Sequence, residues 1–448
     1  MSSFDSFDFR KEAHRVADWI ADYFEQVERF SVLARVAPGD IRRALPESAP
    51  ENGESFDAIF RDFEHLILPG ITHWNHPGFF AYFAITASAP GVLAEFLSAA
   101  LNQQAMLWRT SPAATELEEV ALAWLRRLIG LPDPFEGVIY DTASISTLHA
   151  LAAAREAAID GVRARGLAGR SDLRPPRVYC SEHAHSSVDK AVILLGLGHE
   201  ALRRVPADSE FRMRADALAD AIDDDRRAGR QPIAVVATVG TTSTTSVDPI
   251  EAIAGVCARE RLWLHVDAAY AGVAAMVPGH EWILRGADRA DSLVVNPHKW
   301  QAFSLVPEYL KTTEADEVKN LMDTGIQLGR RFRALKLWIV LRHFGAGGVR
   351  AHLAEHMRLA RLFASWVDAS ARFERVAPVP FSVVCFRLRA DDDANARVLE
   401  RVNASGDVFI SHTKLDGRYV LRLAIGNLAT TERHVARAWE LLNQAAEA

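Results

Sequence analysis

An α/β fold is predicted, with a mostly parallel sheet covered by helices, an N-terminal helical segment before it and a small α+β domain after it. Two observations carry this. Short runs apolar on both alternations, Gly137 to Tyr140, Val178 to Cys180, Ile233 to Val239, Leu262 to Val266 and Ser292 to Val295, read as strands buried on both faces. Between them lie helical patterns at Leu148 to Arg165, Ala215 to Arg227 and Ile250 to Glu260, the alternation that builds a parallel sheet.

The flanking elements follow from periodicity. Phe9, Ala13, Val16, Ile20, Phe24 and Val27 recur at three and four, giving an amphipathic helix whose apolar face needs a partner. Pro38 to Ser55 is a polar connecting segment. Beyond Arg350 a helix at His352 to Ala369, strands at Ser382 to Leu388 and Tyr419 to Ile425, and a last helix from Thr431 to Ala445 form the terminal domain. The expected division is therefore 1–88, 89–350 and 351–448.

The 448 residues suffice for a large buried interior. A net charge of −7 from 51 basic and 58 acidic residues leaves no basic footprint for nucleic acid. No apolar run approaches membrane-spanning length, and Met1 to Arg10 lacks a signal-peptide profile. Cys180, Cys257 and Cys385 are far apart and form no Cys-x-x-Cys, which argues against disulfides or a thiolate metal site and fits the cytoplasm.

Ligands of open α/β sheets gather at the carboxyl ends of the strands, so the polar residues after each apolar run are the candidates. Asp141-Thr142-Ala143-Ser144-Ile145-Ser146 leads into a helix whose free N–H groups suit a phosphate, or is an ordinary cap. His183 and His185 could be a metal pair, though a third ligand is missing, or one imidazole could stack on a flat cofactor. Asp267 emerges from an apolar strand and needs a cation, either a basic side chain or a protonated ring nitrogen. Lys299, one of only seven lysines, directly follows a buried strand, where desolvation lowers its pKa and suits it to attack an aldehyde. Gly196-Leu197-Gly198-His199-Glu200-Ala201 resembles a dinucleotide fingerprint but follows a helical run rather than a strand, and is discounted.

Asn296-Pro297-His298-Lys299-Trp300, His265-Val266-Asp267-Ala268-Ala269-Tyr270 and His183-Ala184-His185-Ser186-Ser187 together closely resemble the group II pyridoxal-phosphate-dependent amino acid decarboxylases, in particular aromatic-L-amino-acid decarboxylase. His73-Trp74-Asn75-His76-Pro77, Phe79 to Phe83, Thr110 to Glu118 and Leu328 to Phe332 extend the likeness over nearly the whole chain. The resemblance implies fold type I, that of aspartate aminotransferase, an obligate homodimer clasped by the N-terminal segment, and no metal. It also implies decarboxylation of an aromatic L-amino acid such as tryptophan, tyrosine, phenylalanine or dihydroxyphenylalanine. Lys299 matches the lysine that holds pyridoxal 5′-phosphate, Asp267 the partner of its ring nitrogen and His185 the imidazole stacked on its ring. Ala143, Ser144, Ser292 and His298 match the phosphate-binding set, and Thr242 a cofactor-contacting threonine. Trp74, Tyr82 and Phe83, with Met106 and Trp108 from a second chain, would line the side-chain pocket, which Gly347 tilts towards indoles.

Two departures stand out. After Trp300-Gln301 a strand-and-turn's worth of chain is missing relative to the family, which would leave backbone groups of the sheet unpaired. Thr324 stands where the family carries the tyrosine credited with protonating the substrate carbon, and threonine is a far poorer acid. An amine-forming decarboxylase, an oxygen-using aldehyde synthase and a folded but disabled relative all remain open.

Overall fold

A computed structural model describes residues 7–133, 135–297, 301–305 and 319–447, with Pro297 and 301–305 described by backbone alone. The strands are β1 (Phe79–Phe80), β2 (Pro176–Ser181), β3 (Leu202–Val205), β4 (Gln231–Thr238), β5 (Trp263–Ala268), β6 (Ser292–Pro297), β7 (Gln301–Leu305), β8 (Phe373–Arg375), β9 (Val383–Leu388), β10 (Phe409–Leu415) and β11 (Arg418–Ala424). The main helices are α1 (Phe9–Glu25), α2 (Ala89–Leu101), α3 (Pro112–Leu128), α4 (Ala143–Ala158), α5 (Ser187–Leu194), α6 (Ala215–Arg227), α7 (Ile250–Glu260), α8 (Arg333–Asp368), α9 (Asp392–Ala404) and α10 (Glu432–Glu447).

The chain divides into two compact units. One comprises Met1–Thr86, Ala369–Glu374 and Arg387–Ala448, the other Ala87–Asp368 and Arg375–Phe386. In the first, β1 pairs in parallel with β10 through Phe79↔Phe409 and Phe80↔Ile410, which joins the two ends of the chain. Strand β10 in turn pairs antiparallel with β11 through Ser411↔Arg422 and Thr413↔Val420. Helix α1 has a side chain of Asp8 on the N–H of Lys11 as its cap, and its Trp19 packs against Tyr23, Phe60 and Phe63. Phe9, expected on the covered face, stays exposed.

The larger unit is built on a six-stranded sheet of order β3-β2-β4-β5-β6-β7. The first five strands are parallel, and β7 runs antiparallel to β6. The register aligns Val178, Ala234 and Trp263 in one row and Cys180, Val236, His265 and Ser292 in the next. These residues face one side of the sheet. There Ala150, Leu151, Ala153 and Ala154 of α4 and Val188, Ala191 and Val192 of α5 close a core over them.

Two expectations need correction. The strand expected to be lost after Lys299 is present: β7 pairs with β6 through Leu293↔Leu305, Val294↔Ser304 and Val295↔Phe303, so the edge of β6 is not bare. Conversely, Gly137 to Tyr140 forms no strand beyond one bridge residue at Val138. Side chains take the place of a neighbouring strand. The Ile139 N–H donates to Glu118 Oε1 at 2.8 Å and the Ile139 carbonyl accepts from the Arg330 guanidinium at 2.9 Å. Arg330 and Glu118 are themselves paired at 2.7 Å, both buried, and Arg330 also donates to the Ala105 carbonyl. The pair thus serves as a backbone template as well as an ion pair.

Removing one partner of such a pair strands the other charge in the interior. Arg330→Ala is expected to cost about 3–5 kcal/mol in urea unfolding. A loss under about 1 kcal/mol would mean that the pair does not hold the Ile139 segment.

Candidate active site

Asp267 is the penultimate residue of β5 and is 6% exposed. The Ala269 N–H donates to Asp267 Oδ1 at 3.1 Å, and no basic side chain pairs with the carboxylate among the described residues. A buried carboxylate without a counter-ion is costly, so the site is built for a cation that the described residues do not supply. Because β-strands alternate, Asp267 shares its face with His265 and Trp263, the face that α4 covers.

Helix α4 starts at that same edge. Thr142 is its N-cap, the hydroxyl taking the Ile145 N–H at 3.3 Å. The N–H groups of Ala143 and Ser144 make no bond to another described residue, which leaves two donors and the positive end of the helix dipole for an anion. His185 lies between β2 and α5 on this side, half-buried, its Nδ1 accepting the Ser187 N–H at 3.1 Å, so its proton sits on Nε2. His183 instead sets its ring edge-on against Phe211 at 5.4 Å, which separates the roles of the two histidines. Thr242 is exposed on the loop after β4. That loop passes so close to the segment beyond Asp267 that a Cβ on Gly240, at φ +88, would lie 2.8 Å from Tyr270 and Ala271.

Ser292 does not fit the phosphate role. It opens β6 at the amino end, and its hydroxyl is fully buried. It accepts from Trp263 Nε1 at 2.9 Å and is hydrogen-bonded to His265 Nδ1 at 2.9 Å. Burial pushes the His265 pKa down to about 4, keeping the imidazole neutral and able to accept. Four residues of strand, roughly 13 Å, separate Ser292 from the carboxyl end of β6. The residue at that end is Asn296, buried, on the same face, its N–H bonded to the Ala269 carbonyl at 3.1 Å. Sequence reading passed over Asn296 in favour of a hydroxyl; its place directly before Pro297 was the available signal.

Asp248 was also missed. It lies buried behind Asp267, taking the N–H groups of Met213 at 2.7 Å and Thr238 at 2.8 Å, and burial pushes its pKa up to about 7 against the pull of those two bonds. Thr238 is the residue paired with Asp267, so Asp248 fixes the adjoining strand end.

The remaining candidates divide. In the smaller unit the Trp74 and Tyr82 rings stack at 6.0 Å, the Arg422 guanidinium lies 4.6 Å over Phe83, and Tyr82 is 57% exposed with φ +53. A bulky residue held in the left-handed region is strained, and Arg422 bonding the Tyr82 carbonyl holds it there. In the larger unit Met106 and Trp108 are half-buried, the indole N–H of Trp108 donating to Glu116 at 2.8 Å. Gly347 is exposed on α8, two residues after the helix breaks at Gly345. Thr324 is buried, and its hydroxyl donates to the Leu321 carbonyl at 2.6 Å, so it faces its own turn and has no proton to offer a ligand. His298 and Lys299 lie outside the described residues.

The profile of the pyridoxal-dependent decarboxylase conserved domain matches residues 38–304 and 300–389. The chain belongs to the pyridoxal-dependent decarboxylases. The two matched stretches overlap at 300–304, just beyond Lys299. Tryptophan decarboxylase 2 of Oryza sativa subsp. japonica is 39% identical over 478 aligned positions, covering 99% of this chain and 95% of the relative. Phenylacetaldehyde synthase of Arabidopsis thaliana is also 39% identical, covering 99% and 96%. The crystal structure of Oryza sativa tryptophan decarboxylase with pyridoxal phosphate and tryptamine superposes with a TM-score of 0.93 at 37% identity, covering 100% of this chain and 99% of that one. The protein is therefore a pyridoxal-phosphate-dependent carboxy-lyase of fold type I. The cofactor suits what the described residues offer: a cation-seeking carboxylate and an open helix N-terminus on one side of one sheet edge.

Ser292→Ala is expected to leave pyridoxal-phosphate affinity within about twofold while lowering stability by about 1–3 kcal/mol, since the Trp263 N–H loses its acceptor. A tenfold or greater loss of affinity at unchanged stability would restore Ser292 to the phosphate set.

Proposed function

We propose that the protein decarboxylates an aromatic L-amino acid, of the tryptophan, tyrosine, phenylalanine or dihydroxyphenylalanine type, to its amine and carbon dioxide. The observation that carries the site assignment is the buried carboxylate of Asp267, without a basic partner among the described residues, on the face of the sheet where α4 begins. When bound, pyridoxal phosphate supplies the electron sink that receives the electron pair of the carbon–carboxylate bond. Asp267 holds a proton on the ring nitrogen, the Ala143 and Ser144 N–H groups and His298 bind the phosphate, and Thr242 contacts the cofactor. His185 lies on the ring, and Lys299 provides the amine that holds the cofactor. Trp74, Tyr82, Phe83, Met106 and Trp108 supply aromatic and thioether surface for a flat side chain, with Gly347 favouring an indole.

A homodimer is supported by helix α2. Its Leu93, Phe96, Leu97 and Leu101 are about half exposed along one face, an apolar surface that a second copy would cover. The N-terminal α1 segment is assigned to the same interface. Cys180, Cys257 and Cys385 are buried and form no disulfide, which supports the cytoplasm.

The aldehyde-synthase alternative rests on Thr324, a poor acid in place of the family's tyrosine, and the commitment of its hydroxyl to its own turn is in keeping with that alternative. The disabled-relative alternative rested on a bare sheet edge, which β7 fills.

The test is product analysis by mass spectrometry after the cofactor-loaded protein meets the four amino acids in air. Amines are expected. Aldehyde from the unmutated protein, or no product, would overturn the reading.

A further inference from the structure

We propose that Tyr140 and His149 are positioning residues that lock the phosphate-binding turn of α4 by gripping the backbone of Thr324–Ile326. The proposal rests on the reading of Ala143 and Ser144 as phosphate donors.

Tyr140 ends the irregular segment that leads into α4, and His149 sits on the second turn of that helix; both side chains are buried. Their rings pack at 4.4 Å between centroids. The Tyr140 hydroxyl donates to the Thr324 carbonyl. His149 Nε2 accepts the Ile326 N–H at 3.2 Å, which requires a neutral imidazole with its proton on Nδ1, a buried atom with no partner. Burial holds the His149 pKa down to about 4, in keeping with that state.

Between those two bonds lies Gly325. A Cβ there would stand 2.9 Å from His149 Cε1 and 2.9 Å from Tyr140 Cε1. Gly325 is in extended backbone, so its requirement is steric rather than conformational. The grip therefore reads three residues by one carbonyl, one missing side chain and one N–H. Ile326 contributes nothing through its side chain, which is 67% exposed.

The grip continues on either side of Tyr140. The Ile139 carbonyl takes the Arg330 guanidinium at 2.9 Å, and Asp141 takes Gln327 Nε2 at 2.7 Å and Arg333 at 2.6 Å. Residues 139, 140 and 141 are thus each tied to the stretch 324–333, and the next residue is the Thr142 cap. Since 139–141 has no strand partner, these ties are what set where α4 begins, and hence where the Ala143 and Ser144 N–H groups point.

The experiment compares the affinities of pyridoxal 5′-phosphate and phosphate-free pyridoxal for the full-length apoprotein and four variants. Gly325→Ala should weaken pyridoxal phosphate about tenfold or more, because neither buried ring can retreat freely. Tyr140→Phe, which keeps the ring and removes only the hydroxyl, should weaken it about three- to tenfold. His149→Leu should do the same, whereas His149→Gln, which restores an acceptor, should stay within about threefold. Pyridoxal affinity should stay within about twofold throughout. Equal losses for both ligands, or a Tyr140→Phe protein that binds pyridoxal phosphate as tightly as the unmutated one, would overturn the proposal. An unmutated protein that does not prefer pyridoxal phosphate to pyridoxal would instead overturn the Ala143 and Ser144 reading itself.

Discussion

The buried carboxylate of Asp267, which no basic side chain pairs with among the described residues, is the constraint around which the larger unit is arranged. Asp267 can sit at the end of β5 only because parallel strands on both sides satisfy the backbone around it and one N–H, from Ala269, reaches its oxygen. On the proposed reading, a cationic ring nitrogen would offset the cost of burying that carboxylate, so cofactor affinity and the burial of Asp267 would be two views of one interaction. Asp248 extends the arrangement by one layer, fixing Thr238 on the neighbouring strand through its backbone N–H.

The opposite end of the cofactor site depends on a different device. Ile139, Tyr140 and Asp141 carry no ladder of their own and are held by Glu118, Arg330, Gln327, Arg333 and the turn at Gly325. These contacts bring together residues almost two hundred positions apart, so α4 starts where it does only once the chain beyond Lys299 has folded back. The two ends of the site are therefore secured in different ways, one by a sheet and one by side chains.

Much of this was legible in the sequence because the parallel strands are apolar on both faces. Val178 to Cys180, Ile233 to Val239, Leu262 to Val266 and Ser292 to Val295 all lie in or across strands, and α6 and α7 fall on the ranges their periodicity gave. Asp267 stood out as a charge ending an apolar run. Gly137 to Tyr140 misled because burial, which makes a run apolar, does not require a neighbouring strand when Glu118 and Arg330 satisfy Ile139. Strand β3 was missed because Arg203 and Arg204 break its apolar pattern. Ser292 misled because a hydroxyl suits a phosphate, although its place as first residue of the run Ser292 to Val295 already put it at the amino end, where the register shows it beneath α4. Thr324, read as a poor proton donor, turns its hydroxyl inward to Leu321, which its position relative to the family pattern did not reveal.

The most direct test of the central constraint is the Asp267→Ala protein, loaded with pyridoxal phosphate and assayed for carbon dioxide release beside the unmutated enzyme. With its electrostatic partner gone, the ring should still be captured, as judged by borohydride trapping. Carbon dioxide release should fall by about a hundredfold or more. Trapped cofactor together with near-normal release would contradict the assignment of Asp267 and, with it, the explanation of why this sheet edge is built as it is.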